Sequence, residues 1–265
     1  MQVETFAGNR DEIAMYVWPT PEPRRIVALA HGYGEHLGRY EYVAEFLTGR
    51  GAVVAGPDHL GHGRSGGERV MIEDYDLVVE DLHSVVKRVR QRYPGLALVL
   101  IGHSMGGMIA VRYAQLHGDD LAGLVLSGPV LGTWSSVTDL LGLEEIPDDP
   151  LDVSTLSRDA RVGDIYSGDE LVWHGPFKRP TVKALDAELK VIGGGPKLGG
   201  LPTLWLHGAE DELVPVSESR VGVEALEPVA LETHIFPGAR HEAFNETNRD
   251  EVLGITADFV DRVTG

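Results

Sequence analysis

The sequence predicts an α/β protein built on a mostly parallel central sheet with helices on both faces. Three observations point there: apolar runs without alternation recur along the chain, amphipathic helical patterns sit between them, and two short strand-like runs joined by a polar turn open the sequence. At 265 residues, 43% of them hydrophobic, the chain can bury one substantial core, and 24% charged residues is ordinary for a globular protein.

Taken in order, Val3–Phe6 and Ile13–Trp18 flank the polar Gly8-Asn9-Arg10-Asp11 and read as an antiparallel hairpin. Ile26–Ala30, Ala52–Ala55, Ala97–Ile101, Leu121–Leu126 and Thr203–Leu206 are continuous apolar runs, as expected of strands buried on both faces; Leu231–Phe236 is a further strand. Leu82, Val85, Val86 and Val89 recur at i, i+3, i+4 and i+7, and Pro94-Gly95 ends that helix. Met105–Ala114 reads as a helix, and Val252, Ile255, Phe259 and Val263 mark another near the C-terminus. From Pro129 to Gly200 the alternation breaks. That stretch holds helical fragments (Trp134–Leu143, Thr181–Ile192), the turn Pro147-Asp148-Asp149-Pro150 and Gly193-Gly194-Gly195, but no clear buried strand. An insertion between core strands is expected to cap the sheet's active edge, giving a core of residues 1–128 and 201–265 and a helical cap of 129–200.

The net charge of −18 disfavours nucleic acid as a partner, because phosphate binding needs a basic stripe. It also disfavours docking on anionic membranes by charge alone. With no cysteine, disulfides, thiolate metal sites and a cysteine nucleophile are excluded. The first ten residues lack the apolar run of a signal peptide, and no later stretch is long enough to span a bilayer, so a cytoplasmic protein is expected.

The strongest chemical signal is Gly102-His103-Ser104-Met105-Gly106, a G-x-S-x-G placed straight after a buried strand and straight before a helix. A serine on so tight a turn has strained backbone angles, and a side chain two residues to either side would clash. The helix start also points free N–H groups and partial positive charge at the site. Serine needs a base, and the base an orienting carboxylate; in the α/β-hydrolase fold they follow as Ser, Asp, His on loops after later strands. After Thr203–Leu206 comes His207-Gly208-Ala209-Glu210-Asp211-Glu212-Leu213-Val214-Pro215, where the H-G-x-x-D-x-x-V-P pattern, with a turn and then a helix start, selects Asp211 at the inward bend. Glu210 and Glu212 fit a solvated acidic cluster. After Leu231–Phe236, His241 occupies the position the base should hold, and Asn245 breaks any H-E-x-x-H zinc pattern starting there.

The oxyanion hole needs one N–H from the residue after the nucleophile and one from the loop after Ile26–Ala30, His31-Gly32-Tyr33-Gly34-Glu35-His36. That selects Met105 and Tyr33, with His31 expected to be structural. Asp58-His59-Leu60-Gly61-His62-Gly63-Arg64-Ser65 lacks a fourth metal ligand and reads as a tight loop bracing the site, so no metal is expected.

These motifs, with Arg39-Tyr40, Gly66, Gly107 and Gly238-Ala239-Arg240-His241-Glu242 followed by Asn245-Glu246, resemble the monoacylglycerol lipase and lysophospholipase branch of the α/β hydrolases. The likeness runs through nearly the whole core in order; in the cap only Leu171-Val172-Trp173-His174-Gly175 is similar to a family segment. The resemblance implies hydrolysis of a single fatty acyl chain from glycerol without metal or organic cofactor, on a small-molecule ester as substrate. Trp134, Leu140, Leu141 and Leu143 are candidates to line an acyl channel or to touch a lipid surface transiently; a stripe at helical spacing equally fits simple packing of the cap on the core. A broad esterase on short or aromatic monoesters, phthalate half-esters included, shares the same core, as do peptidase and C–C bond hydrolase relatives. A non-catalytic receptor on this scaffold need not keep all three catalytic side chains.

Overall fold

A computed structural model describes residues 1–265 and gathers the predicted strands into one eight-stranded sheet. The strands are β1 (Gln2–Ala7), β2 (Glu12–Trp18), β3 (Arg25–Ala30), β4 (Ala52–Pro57), β5 (Ala97–His103), β6 (Gly123–Ser127), β7 (Thr203–Gly208) and β8 (Leu231–Phe236). Across the sheet they run β1-β2-β4-β3-β5-β6-β7-β8. The β1–β2 and β2–β4 pairings are antiparallel and the other five are parallel.

The helices are α1 (Glu41–Gly49), α2 (Tyr75–Arg92), α3 (Met105–His117), α4 (Ser135–Gly142), α5 (Ala160–Gly168), α6 (Arg179–Gly194), α7 (Val216–Ala225) and α8 (Arg249–Thr264). They cover the sheet on both faces, which is why its strands do not alternate. Along β3, Ile26, Ala28 and Ala30 join one apolar cluster while Val27 and Leu29 join the other; β5 divides Leu98 and Leu100 from Val99 and Ile101 in the same way. Helices α2 and α3 complete the first cluster, and α1 and α8 the second. Helix α2 starts where the Asp74 side chain accepts from Asp76 N–H, and Arg90 and Arg92 in its last turn suit the helix dipole.

Three departures from the sequence reading have local causes. The strand expected from Leu121 begins at Gly123, because Gly118–Asp120 forms a 3₁₀ turn whose Gly118 carbonyl takes the Leu121 N–H. Helices α1 and α5 went unpredicted; at nine residues each, neither shows more than a turn or two of apolar repeat.

Between β6 and β7 the chain holds α4, a 3₁₀ turn at Val153–Thr155, α5 and α6, with no strand. Helix α6 anchors this stretch, since Val182, Leu185, Leu189 and Ile192 enter the cluster built by α2 and α3. The loops leaving the C-terminal ends of β3, β5, β6, β7 and β8 come together at one edge, where parallel α/β sheets form their ligand sites. No helix is long and apolar enough to cross a membrane.

Candidate active site

Strand β5 ends at His103 and α3 begins at Met105, so Ser104 alone makes the turn, with φ 55° and ψ −122°. That left-handed conformation costs a non-glycine residue about 1–3 kcal/mol. Its neighbours show why the motif needs glycine. A Cβ on Gly102 would stand 2.2 Å from the Gly106 carbonyl oxygen, and one on Gly106 would stand 2.1 Å from that of Ala30. Hydrogen bonds to β6 and the loop after it hold the turn: Ser104 N–H donates to Ser127 O (2.9 Å), and Val130 N–H donates to Ser104 O (3.1 Å).

The loops after β7 and β8 bring Asp211 and His241 together, with His241 Nδ1 2.8 Å from Asp211 Oδ2. The carboxylate is fully engaged: Oδ1 accepts the N–H groups of Leu213 (3.0 Å) and Val214 (2.9 Å), and His207 Nε2 lies 3.2 Å from Oδ2. Asp211 is buried, whereas Glu210 and Glu212 are exposed, as the sequence reading separated them. Burial pushes the Asp211 carboxyl upward, but the His241 charge and hydrogen bonds from His207 and His241 hold it well below the usual carboxylate range. Burial pulls the His241 imidazole down, and the Asp211 charge and hydrogen bond outweigh it, so its pKa lies above 6.5. With Nδ1–H donated to Asp211, Nε2 is the basic nitrogen. The His241 ring stands beside the elbow, its centroid 4.7 Å from that of His103. Gly128, at φ 50° after β6, makes room for the pair: a Cβ there would lie 3.3 Å from Asp211 Oδ2 and 3.4 Å from His241 Nδ1.

The loop after β3 packs directly on Ser104, since a Cβ on Gly32 would stand 3.2 Å from the Ser104 Cβ. His31 is buried; its Nε2 accepts from His59 N–H (2.9 Å), which leaves Nδ1–H to donate to Gly32 O (2.8 Å). Burial drives its pKa well below 6.5, keeping that neutral tautomer. Gly32 O belongs to the same peptide unit as Tyr33 N–H, and in a trans peptide the two point opposite ways, so His31 fixes where the Tyr33 amide aims. Neither Tyr33 N–H nor Met105 N–H has an acceptor within the protein. Asp58 accepts the N–H groups of Leu37 and Arg64, both at 2.7 Å, and thereby braces this loop from behind.

One feature of the site escaped the sequence reading altogether. Arg39 donates two hydrogen bonds of 2.8 Å to Glu242 and is also paired with Glu35, all three side chains being at most 6% exposed. Glu35 Oε1 in turn accepts Gly32 N–H and Tyr40 O–H, each at 2.6 Å. Glu242 directly follows His241, so this buried network joins the Tyr33 loop to the His241 loop. Burial pushes Glu242 upward, but Arg39 holds it below the usual carboxylate range. His207 was likewise read only as part of a pattern; it accepts from Trp205 Nε1 (3.1 Å) and supports Asp211.

Ser104, Tyr33 and His241 line one cavity of about 650 Å³. Its far wall is largely apolar and comes from the 129–200 stretch, including Trp134, Leu140, Leu143, Ile146 and Phe177. Leu141 is a correction. It packs against the core cluster, as Leu140 also does, but is not among the residues lining the cavity.

With this geometry established, the comparisons are specific. Residues 21–248 match the family described as serine aminopeptidase, S33. The chain is 36% identical to the monoacylglycerol lipase of Mycolicibacterium smegmatis, over 94% of this chain and 93% of that one. It is 35% identical to the monoglyceride lipase of Homo sapiens, over 87% of this chain and 80% of that one. Among solved structures, a thermostable carboxyl esterase from Bacillus coagulans in complex with glycerol superimposes with a TM-score of 0.83 at 26% identity, covering 100% of this chain and 99% of that one.

Proposed function

The chain belongs to the serine aminopeptidase S33 family of α/β hydrolases, and from that premise we propose that this serine hydrolase releases the fatty acid of a monoacylglycerol. One observation carries the reading: an aspartate-bound histidine and a strained serine share the wall of a single, mostly apolar cavity. Its volume of about 650 Å³ falls in the roughly 300–1,000 Å³ range of sites for one small ligand. That suits one acyl chain and a small polar alcohol better than the three chains of a triacylglycerol. The relatives named for monoacylglycerol hydrolysis support the same substrate class.

In this mechanism Ser104 Oγ attacks the acyl carbonyl carbon while His241 Nε2 takes its proton. Asp211 holds the imidazole in the Nδ1–H tautomer and stabilises the imidazolium that forms. The carbonyl electron pair moves onto oxygen, where the N–H groups of Tyr33 and Met105 receive it, helped by the positive end of α3. Collapse of the tetrahedral intermediate expels glycerol, which takes the proton back from His241, and leaves an acyl-enzyme. Water, deprotonated by the same histidine, then frees the fatty acid and restores Ser104. Residues 129–200 act as a cap supplying the acyl wall. Leu143 and Leu151, 45% and 40% exposed near the cavity, support a transient contact of that cap with a lipid surface.

A panel of long-chain monoacylglycerols, diacylglycerols and p-nitrophenyl esters tests the substrate class. The expected order of kcat/KM places monoacylglycerols first. Preference for short or aromatic monoesters over every monoacylglycerol would transfer the assignment to a broad esterase.

A further inference from the structure

Resting on Tyr33 N–H as an oxyanion donor, we propose that the segment Asp169–Phe177 is a clamp that holds the oxyanion loop in its working shape. The segment belongs to the 129–200 insertion, yet three tethers from it reach three residues of the loop that carries the donor. The Tyr33 ring stacks on Phe177, with centroids 4.2 Å apart and planes 12° from parallel. Trp173 N–H donates to Gly34 O at 2.7 Å. His36 Nε2 lies 2.8 Å from Asp169 Oδ2; because His36 Nδ1 accepts from Gly38 N–H, the Nε2 proton is the one donated to Asp169.

The loop needs such support. Gly34 sits at φ 76°, a conformation of low intrinsic stiffness in glycine, so its peptide can swing unless something holds its carbonyl. Upstream of the donor, Glu35 grips Gly32 N–H and His31 grips Gly32 O. Downstream, the Gly34 carbonyl and the Tyr33 side chain are held by the insertion. The donor amide is therefore fixed from both sides, one side belonging to the core and the other to the clamp. Asp169, Trp173 and Phe177 act as positioning residues: they never touch the reacting atoms, but a donor displaced by a fraction of an ångström no longer matches the oxyanion. On this account the insertion helps to assemble the catalytic centre as well as to bind the chain.

The test compares Asp169→Ala, Asp169→Asn and Phe177→Leu with the parent protein on p-nitrophenyl acetate and on a long-chain monoacylglycerol. An acetyl group is too short to use the acyl wall, so it isolates the positioning role. We expect kcat to fall about tenfold in Asp169→Ala and in Phe177→Leu, by the same factor on both esters and with KM for the acetate ester unchanged. Asp169→Asn keeps an oxygen acceptor for His36 and restores the rate. A trifluoromethyl ketone, which adds to the serine as a tetrahedral adduct needing the same donors, loses affinity by the factor that kcat/KM loses. Losses confined to the long-chain ester would make the segment an acyl wall only and overturn the clamp, as would an unchanged kcat in both variants. Should Asp169→Ala fail to fold, Phe177→Leu, which keeps an apolar side chain in place, carries the same comparison. A parent protein inactive on every ester would instead remove the hydrolase reading.

Discussion

The two walls of the cavity are built by opposite physics. On the core side, the charged groups that frame Ser104 are heavily bonded: the Asp211 carboxylate has four partners, and Arg39 is held between Glu35 and Glu242. On the insertion side the wall is mostly apolar side chains, and outside the cavity, where α6 meets α2 and α3, one polar group is left imperfectly paired. Glu188 of α6 is only 6% exposed, Arg112 Nε approaches it no closer than 3.4 Å, and its Oε1 has no hydrogen-bond partner. The difference teaches where each property resides. The core spends its hydrogen bonds on geometry that the chemistry cannot vary, while the insertion sets a shape that can be changed residue by residue.

Removing the base gives the largest expected effect on the core side. His241→Ala should lower kcat by about 10⁴-fold or more with the melting temperature near that of the parent, because members of a triad act as a unit. A loss of tenfold or less in steady-state assays would show that another group serves as base. Next in size is Arg39→Met, which leaves Glu35 and Glu242 buried without a counter-charge. Denaturant titration should report a stability loss of about 3–5 kcal/mol; a loss of surface-pair size would mean that the network relaxes into solvent.

The insertion side should respond more weakly and more selectively. Leu140→Ser combined with Leu143→Ser should lower kcat/KM on long-chain monoacylglycerols about tenfold while sparing acetate esters. Leu141→Ser should act on stability alone, since that side chain is not among those lining the cavity. Equal loss on all chain lengths from the first pair would remove the acyl-wall assignment. The smallest effect concerns Glu188, whose carboxyl burial pushes up to about 7 from 4.5. For an acid with a raised folded pKa, the cost of ionisation is absent below the unfolded value, grows as pH rises toward the folded one, and is constant above it. Glu188→Gln should therefore raise the melting temperature at about pH 8 and change it little near about pH 4.5. The same shift at both pH values would mean that packing, not charge, is responsible.

How much of this could be read from the sequence follows the same division. Ser104 was legible because the turn's sterics admit few residues on either side of it. Asp211 and His241 were legible because each sits at a fixed offset after a buried strand. The pairing of Arg39 with Glu242 was not: both stand in motifs of the sequence, but they lie 203 residues apart and nothing local shows that they meet. Which of the adjacent Leu140 and Leu141 lines the cavity was not legible, because the register of α4 cannot be fixed to one residue from its apolar pattern. The clamp on the oxyanion loop was hidden for a related reason, since Trp173 acts there through its backbone N–H, which leaves no mark on residue type.

The central claim is that His241, neutral at Nε2 and held through Nδ1–H by Asp211, governs the nucleophilicity of Ser104. Reaction with a fluorophosphonate, followed by peptide mapping and by its rate against pH, tests this directly. The account predicts one adduct, on Ser104, formed at a rate that falls as pH drops through a single ionisation above 6.5, where His241 takes up a proton and can no longer act as base. An adduct on another residue, or a rate on Ser104 indifferent to pH across that range, would contradict it.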